Sequence, residues 1–266
     1  DRPAHLFDDL DKNTLSIIIS QRCENEPTHF STRLMRWSSI ERDKLIESLE
    51  YSKSAIGHIP STLPKTGSLI ASSIWSKIFA RPERIGLSVS RTGSSETLYS
   101  RKINSFIQVL DFVPRVLDGQ GNLRPPSEFK SLKFDTRGEA DAILCAMNSS
   151  LFRWYLDLTA DGSHLNKREV INFPINAKEL SEFHPEISAL AADLTESLNQ
   201  NSFNRTMRYK HDTLTVQCIV PKHSKGVIDK IDAILGIYYK LSDVEVDFIV
   251  NYDIKYRMGA DADDAE

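Results

Sequence analysis

The chain has 266 residues, of which 40% are hydrophobic, 9% aromatic and 26% charged, and 33 basic against 37 acidic side chains give a net charge of −4. This is ordinary globular composition, long enough for one or two cores; it excludes wholesale disorder, collagen and coiled coil, and the balance of charge excludes a uniformly basic nucleic-acid binder. No apolar run approaches the roughly 20 residues that span a bilayer.

The opening reads as strand-rich. Leu15, Ile17, Ile18 and Ile19 form an apolar strand, and an extended piece over residues 30–37 completes a hairpin with a long loop. Ser38-x-x-Glu41 is a capping box, and Ile40, Leu45, Ile46 and Leu49 behind it predict a helix. Residues 52–66, rich in Gly, Ser, Pro and Thr, read as a connector and domain boundary. Ile70, Ile74, Trp75, Ile78 and Phe79 line one face of a helix that stops at Arg81-Pro82. Alternation at Ile85, Leu87 and Val89 predicts a half-buried strand, Arg91 to Ser95 a turn, residues 106–113 a strand and residues 118–126 a loop.

Thr136-x-x-Glu139 is a second capping box, with Ala140, Ile143, Leu144 and Met147 as the apolar face. Asn148-Ser149-Ser150 interrupts the helix, and Leu151, Trp154, Tyr155 and Leu158 continue it to Asp161-Gly162. Pro185 opens a helix carrying Ile187, Leu190, Leu194 and Leu198. Leu214, Val216, Ile219 and Val220 predict a strand, and Val227 to Tyr238 a late helix. Ser242-x-x-Glu245 caps the last helix, with Val246, Ile249 and Val250 inward, and residues 251–258 close the domain. Trp75, Trp154 and Tyr155 are expected in the core. The expected class is α+β, with mixed helices and a mostly antiparallel sheet.

Cys23, Cys145 and Cys218 are far apart, so buried free thiols in a reducing compartment are expected rather than disulfides. The seven histidines show no metal-ligand spacing, and Gly119-Gln120-Gly121 lacks the third glycine of a dinucleotide fingerprint. Charge is unevenly spread: net −2 over residues 1–60, +5 over 61–135 and −7 over 136–266. A basic middle between acidic flanks is an asymmetry a polyanion can use.

A denser signal lies in a set of ordered motifs. Asn148-Ser149-Ser150-Leu151-Phe152-Arg153-Trp154-Tyr155 is followed by Asp161-Gly162-Ser163-His164-Leu165-Asn166-Lys167-Arg168-Glu169-Val170 and by Asn172-Phe173-Pro174-Ile175. Upstream stand Arg2-Pro3, Leu6-Phe7, Leu110-Asp111-Phe112-Val113-Pro114, Pro126-Ser127 and Lys130. Downstream stand Ile231-Asp232, Tyr238-Tyr239 and the run from Asp247 to Gly259. The set resembles the target-recognition region of adenine-specific DNA methyltransferases with a TaqI-like specificity domain, of the type IIG restriction-modification class.

The resemblance implies three parts: residues 1–51 as the tail of a methyltransferase-like domain, 52–184 as the target-recognition domain, and 185–266 as its C-terminal helical part. It implies double-stranded DNA and a preceding methyltransferase domain as partners, in a cytoplasmic protein. The Asn-Pro-Pro-aromatic motif that holds the flipped adenine is absent, as is the glycine loop for S-adenosylmethionine. The chain is therefore expected to hold no cofactor and to be inactive alone, S-adenosylmethionine belonging to the parent enzyme.

Sequence readers combine base-edge contacts with register-setting phosphate contacts. Arg91, Arg101 and Lys102 are the expected base contacts, Ser127 and Lys130 the expected phosphate contacts. His164, Asn166, Lys167 and Arg168 either brace the turn after the helix, pack against the preceding domain, or touch DNA. Six phosphate contacts predict a log–log salt slope of about −5. Two other readings stay open. One is a Mg-dependent nuclease using Asp118, Glu128 and Lys130, whose order matches Asp…Glu-x-Lys, although Pro125-Pro126 argues for a loop there. The other is a protein-interaction domain with no affinity for DNA.

Overall fold

The structure is a computed structural model and describes residue 19 and residues 28–37, 40–54, 56–210 and 212–259. The expected strand at 15–19, apart from Ile19, the N-cap Ser38, Cys23, Arg2 to Phe7 and residues 260–266 lie outside the described residues.

The architecture is α+β. A two-residue ladder pairs β1 (Phe30–Ser31) with β2 (Ser52–Lys53). Helices α1 (Leu69–Phe79) and α2 (Ile85–Ser88) precede β3 (Ser95–Ser100), β4 (Val109–Leu110), β5 (Val116–Leu117) and β6 (Phe129–Phe134). Then come α3 (Arg137–Asn148), α4 (Ser150–Thr159), α5 (Lys167–Asn172), α6 (Ala177–Phe183) and α7 (Glu186–Gln200). A hairpin of β7 (Ser202–Arg208) and β8 (Thr213–Ile219) leads to α8 (Lys225–Tyr238), α9 (Asp243–Val250) and α10 (Ile254–Met258). Among the described residues all pairings are antiparallel, in the orders β1-β2, β4-β3-β6 and β5-β8-β7.

Local chemistry fixes the helix starts. Thr136 and Glu139 close a reciprocal capping box on α3, and Ser242 and Glu245 close another on α9. Ser149 breaks α3 from α4: its extended backbone ends one helix, and its hydroxyl accepts from the Phe152 amide at 3.0 Å to start the next. Every residue of α4 is buried, so this helix is the centre of the core. Trp75, Phe152, Tyr155 and Phe173 pack around it with ring centroids 5.0–6.3 Å apart, and Trp154 is fully buried. Cys145 is buried and Cys218 half-buried; both are free thiols, and burial pushes the Cys145 thiol up.

Four sequence expectations change. The extended piece expected over 30–37 is a strand only at Phe30–Ser31, and it pairs with Ser52–Lys53 inside the expected connector. The helix expected behind Ser38 shrinks to one turn at Arg42–Lys44; Leu45 is buried, but Ile40 is 90% and Ile46 68% exposed. Residues 40, 45 and 46 form no continuous stripe, and a short helix with one buried anchor does not repay its nucleation. The alternation at Ile85, Leu87 and Val89 is a short helix instead of a strand. Ile85 is buried and its amide donates to the Phe173 carbonyl at 3.0 Å, while Leu87 is exposed and turns back onto the Arg84 carbonyl. The strand expected over 106–113 is only Val109–Leu110. On its outer side the Asn148 amide takes both the Val109 N–H (3.1 Å) and its carbonyl (2.8 Å). Residues 52–66 carry buried hydroxyls. Ser31 receives hydrogen bonds from Ser54 (2.7 Å) and the Thr66 amide (3.1 Å), and Ser52 and Thr66 share another at 2.9 Å.

The core also contains charges. Arg36 donates to both oxygens of Asp157 at 2.9 Å and pairs with Asp253, while Arg153 pairs with Asp157 one turn along α4. Asp232 on α8 accepts the first-turn amides of α4, Ser150 at 2.9 Å and Leu151 at 3.3 Å, and its second oxygen has no hydrogen-bond partner among the described residues. Burial pushes the Asp232 carboxyl up to about 6 against the pull of those donors and of Arg257. The folded protein thus holds this proton more tightly than the unfolded chain. Its contribution to stability is complete below the ordinary carboxylate range and is lost as pH rises through about 6. Asp232→Asn is expected to remove up to about 3 kcal/mol of the stability change between pH 4 and pH 7. Urea denaturation of both proteins at the two pH values checks this, and an unaltered pH dependence in the variant refutes it.

Candidate nucleic-acid interface

Strands β3 and β6 run in register from Ser95 opposite Phe134 to Ser100 opposite Phe129. At the Ser100 end the chain continues the pattern beyond the strands. The Arg101 amide donates to the Glu128 carbonyl at 2.9 Å, the Leu165 amide to the Arg101 carbonyl at 2.8 Å, and the Ile103 amide to the Ser163 carbonyl at 3.1 Å. Lys102 and His164 form an antiparallel bridge. Three segments distant in sequence, 100–103, 127–130 and 161–168, therefore meet at one end of the sheet.

Six of the expected DNA-binding residues come from these segments: Arg101, Lys102, Ser127, Lys130, Lys167 and Arg168. All six are exposed. Asp161 shapes the third segment by accepting from the Ser163 and His164 amides, each at 2.8 Å, with Gly162 in the left-handed region (φ 81°). Those hydrogen bonds and His164 outweigh the opposing effect of burial and hold the Asp161 carboxyl below its ordinary value.

The cations differ in availability. Arg168 is folded onto the buried Glu169, with contacts of 2.9 and 3.0 Å. Lys102 lies 3.7 Å from Glu128 with both groups more than half exposed, a pair of little net strength. Arg101, Lys130 and Lys167 have no ion-pair partner among the described residues. Arg91 stands apart. It is exposed beside the other end of β3, where the Ser90 amide donates to the Lys133 carbonyl at 2.8 Å. The length of β3 places that end about 17 Å away. The turn there requires Gly93, since a Cβ at that position would come within 2.2 Å of the Phe134 carbonyl oxygen.

Asp118 and Glu128 are engaged separately. Asp118 accepts from the Gln120 and Asn122 amides at 3.0 and 2.9 Å and pairs with Arg124 at 3.4 Å; the Asn122 hydrogen bond leads in holding its carboxyl below the ordinary value. Glu128 faces Lys102. Among the described residues no three His, Cys, Asp or Glu side chains come together as a metal-donor set, and no helix is long and apolar enough to cross a membrane. Comparison with family models, with curated proteins and with solved structures gave no match.

Proposed function

We propose that this chain is a duplex-DNA recognition module, the specificity region of an adenine-specific DNA methyltransferase of the restriction-modification class. The observation that carries the proposal is the convergence of Arg101, Lys102, Lys130, Lys167 and Arg168 from three distant segments, three of the five cations having no carboxylate partner among the described residues. In a protein of net charge −4 such a cluster is a local feature rather than an overall bias. Phosphates are the complementary surface, because each neutralised phosphate releases a counterion and so drives binding.

Exposed apolar side chains support the companion domain. Phe30, Ile40, Ile46, Tyr51, Ile56 and Leu63 are all exposed within one stretch of the chain, and a preceding methyltransferase domain is the partner that would cover them. S-adenosylmethionine would bind to that partner.

Titration of the chain into labelled duplex between about 50 and 200 mM salt tests the reading. Five cations, two of them already paired with carboxylates, predict a log–log slope between about −3 and −5. A flat slope, or no binding at the lowest salt, overturns it.

A further inference from the structure

We propose that the β7–β8 ribbon is the element that enters the DNA major groove; this rests on the duplex-binding reading and names its reading element. The ribbon is held in register from Ser202 opposite Ile219 to Arg208 opposite Thr213 and closes with the Tyr209 amide on the Asp212 carbonyl at 2.8 Å. No residue of β7 is buried, and in β8 only Ile219 is. β7 is thus an open edge strand along seven residues, about 23 Å, while β8 is half-buried and pairs on its far side with β5 at Val216 and Thr215. Beyond Thr215 the hairpin continues as two strands alone to its tip, and a ribbon of that width fits a major groove about 12 Å wide.

Charge commits the surface to a polyanion. Residues 197–228 contain Arg205, Arg208, Lys210, Lys222 and Lys225 but only one acidic residue, Asp212. Asp212 is already paired with Arg124 at 3.2 Å. Arg205, Arg208 and Lys210 have no ion-pair partner among the described residues and are all exposed. The segment is a positive island inside the most acidic third of the chain.

The side chains divide by face. Asn204, Thr206 and Arg208 alternate on one face opposite Gln217, Thr215 and Thr213. Gln217 is committed to the fold: its carbonyl oxygen accepts from the Arg115 amide at 3.1 Å and its NH2 donates to Ser202 at 3.0 Å. Asn204 and Arg208 have no side-chain hydrogen bond among the described residues, and they are the residue types that pair bidentately with adenine and guanine in the major groove. Arg205, on the opposite face, and Lys210, at the tip, are placed for the phosphates of the groove walls. The ribbon base adjoins the cation cluster: the Ser100 amide donates to the Gln108 carbonyl at 2.9 Å, and the Gln108 NH2 donates to the Ile219 carbonyl at 3.3 Å.

The test uses the whole chain and a pool of duplexes with randomised centres. The wild-type chain is expected to enrich a motif and to shield its guanine N7 atoms, which line the major groove, from dimethyl sulfate. Arg205→Gln/Arg208→Gln, shown by circular dichroism to be folded, is expected to lose that shielding and, with one phosphate contact removed, to bind with a salt slope shallower by about 1. Asn204→Ala, which alters no charge, is expected to relax one position of the enriched motif by about 5- to 100-fold. Duplex binding without N7 shielding, or variants that retain the wild-type slope, shielding and motif, overturns the ribbon assignment alone and leaves its basic residues as guards of an exposed strand edge. Failure of the wild-type chain to bind any duplex overturns the duplex reading itself.

Discussion

Asp157→Ala is expected to destabilise the protein by about 3–5 kcal/mol, the cost of breaking a buried ion pair from one side. The Asp157 side chain is 1% exposed and lies between Arg36, 21% exposed, and Arg153, 6% exposed. Its removal leaves the Arg153 guanidinium buried and frees Arg36 from the bidentate grip that ties residues 28–37 to α4. Burial alone would raise the Asp157 carboxyl, but Arg153 and Arg36 outweigh it and hold the group below its ordinary value. Its contribution is therefore present above the ordinary carboxylate range and is lost only as pH falls through the depressed folded value, the opposite sense to Asp232. Urea denaturation near neutral pH measures the loss; an unfolding free energy within about 0.5 kcal/mol of wild type contradicts the burial argument.

Arg101→Ala/Lys130→Ala is expected to weaken duplex binding about 60-fold at 0.1 M salt. With Arg101 counted as a phosphate contact beside Lys130, a slope of about 0.9 per contact makes each worth about eightfold at that concentration, and the two multiply. The same variant shallows the salt slope by about 2 and leaves thermal stability near wild type, because both side chains are exposed and form no ion pair among the described residues. Fluorescence anisotropy across a salt series reads both quantities. Unchanged affinity in a folded variant removes these two residues from the interface.

What the sequence made legible is what local chemistry encodes. The capping boxes at Thr136 and Ser242, the break at Ser149 and the apolar faces of α1, α7 and α8 all stand where their spacing predicts. Trp75, Trp154 and Tyr155 are core, as their positions on apolar helical faces require. Strand β7 carries no local signal, because Phe203, Asn204, Arg205, Thr206, Met207 and Arg208 show no one-sided apolar alternation and none of them is buried. Its positive charge was hidden by averaging over an acidic third of the chain. At Ile85 a period-two pattern was overridden by tertiary packing, with Gly86 set closely against Ile171. Arg101, Lys130 and Lys167 were legible as exposed cations of a basic middle and a turn. Their convergence was not, because it depends on residues 101–103 pairing with 163–165, a long-range register that no local pattern carries.

The capture of Val109 by Asn148 bears on self-association. A carboxamide occupies both main-chain positions that β4 would otherwise offer to a further strand. The main-chain groups of Val109 are therefore closed to pairing by a further strand on that flank. On the opposite flank, β6 presents Lys130 and Lys133, whose like charges oppose the close approach of an identical copy. The central sheet thus ends in a side-chain amide on one flank, and on the other in the Ser90 amide at the Lys133 carbonyl beside exposed lysines, both of which oppose edge-to-edge pairing.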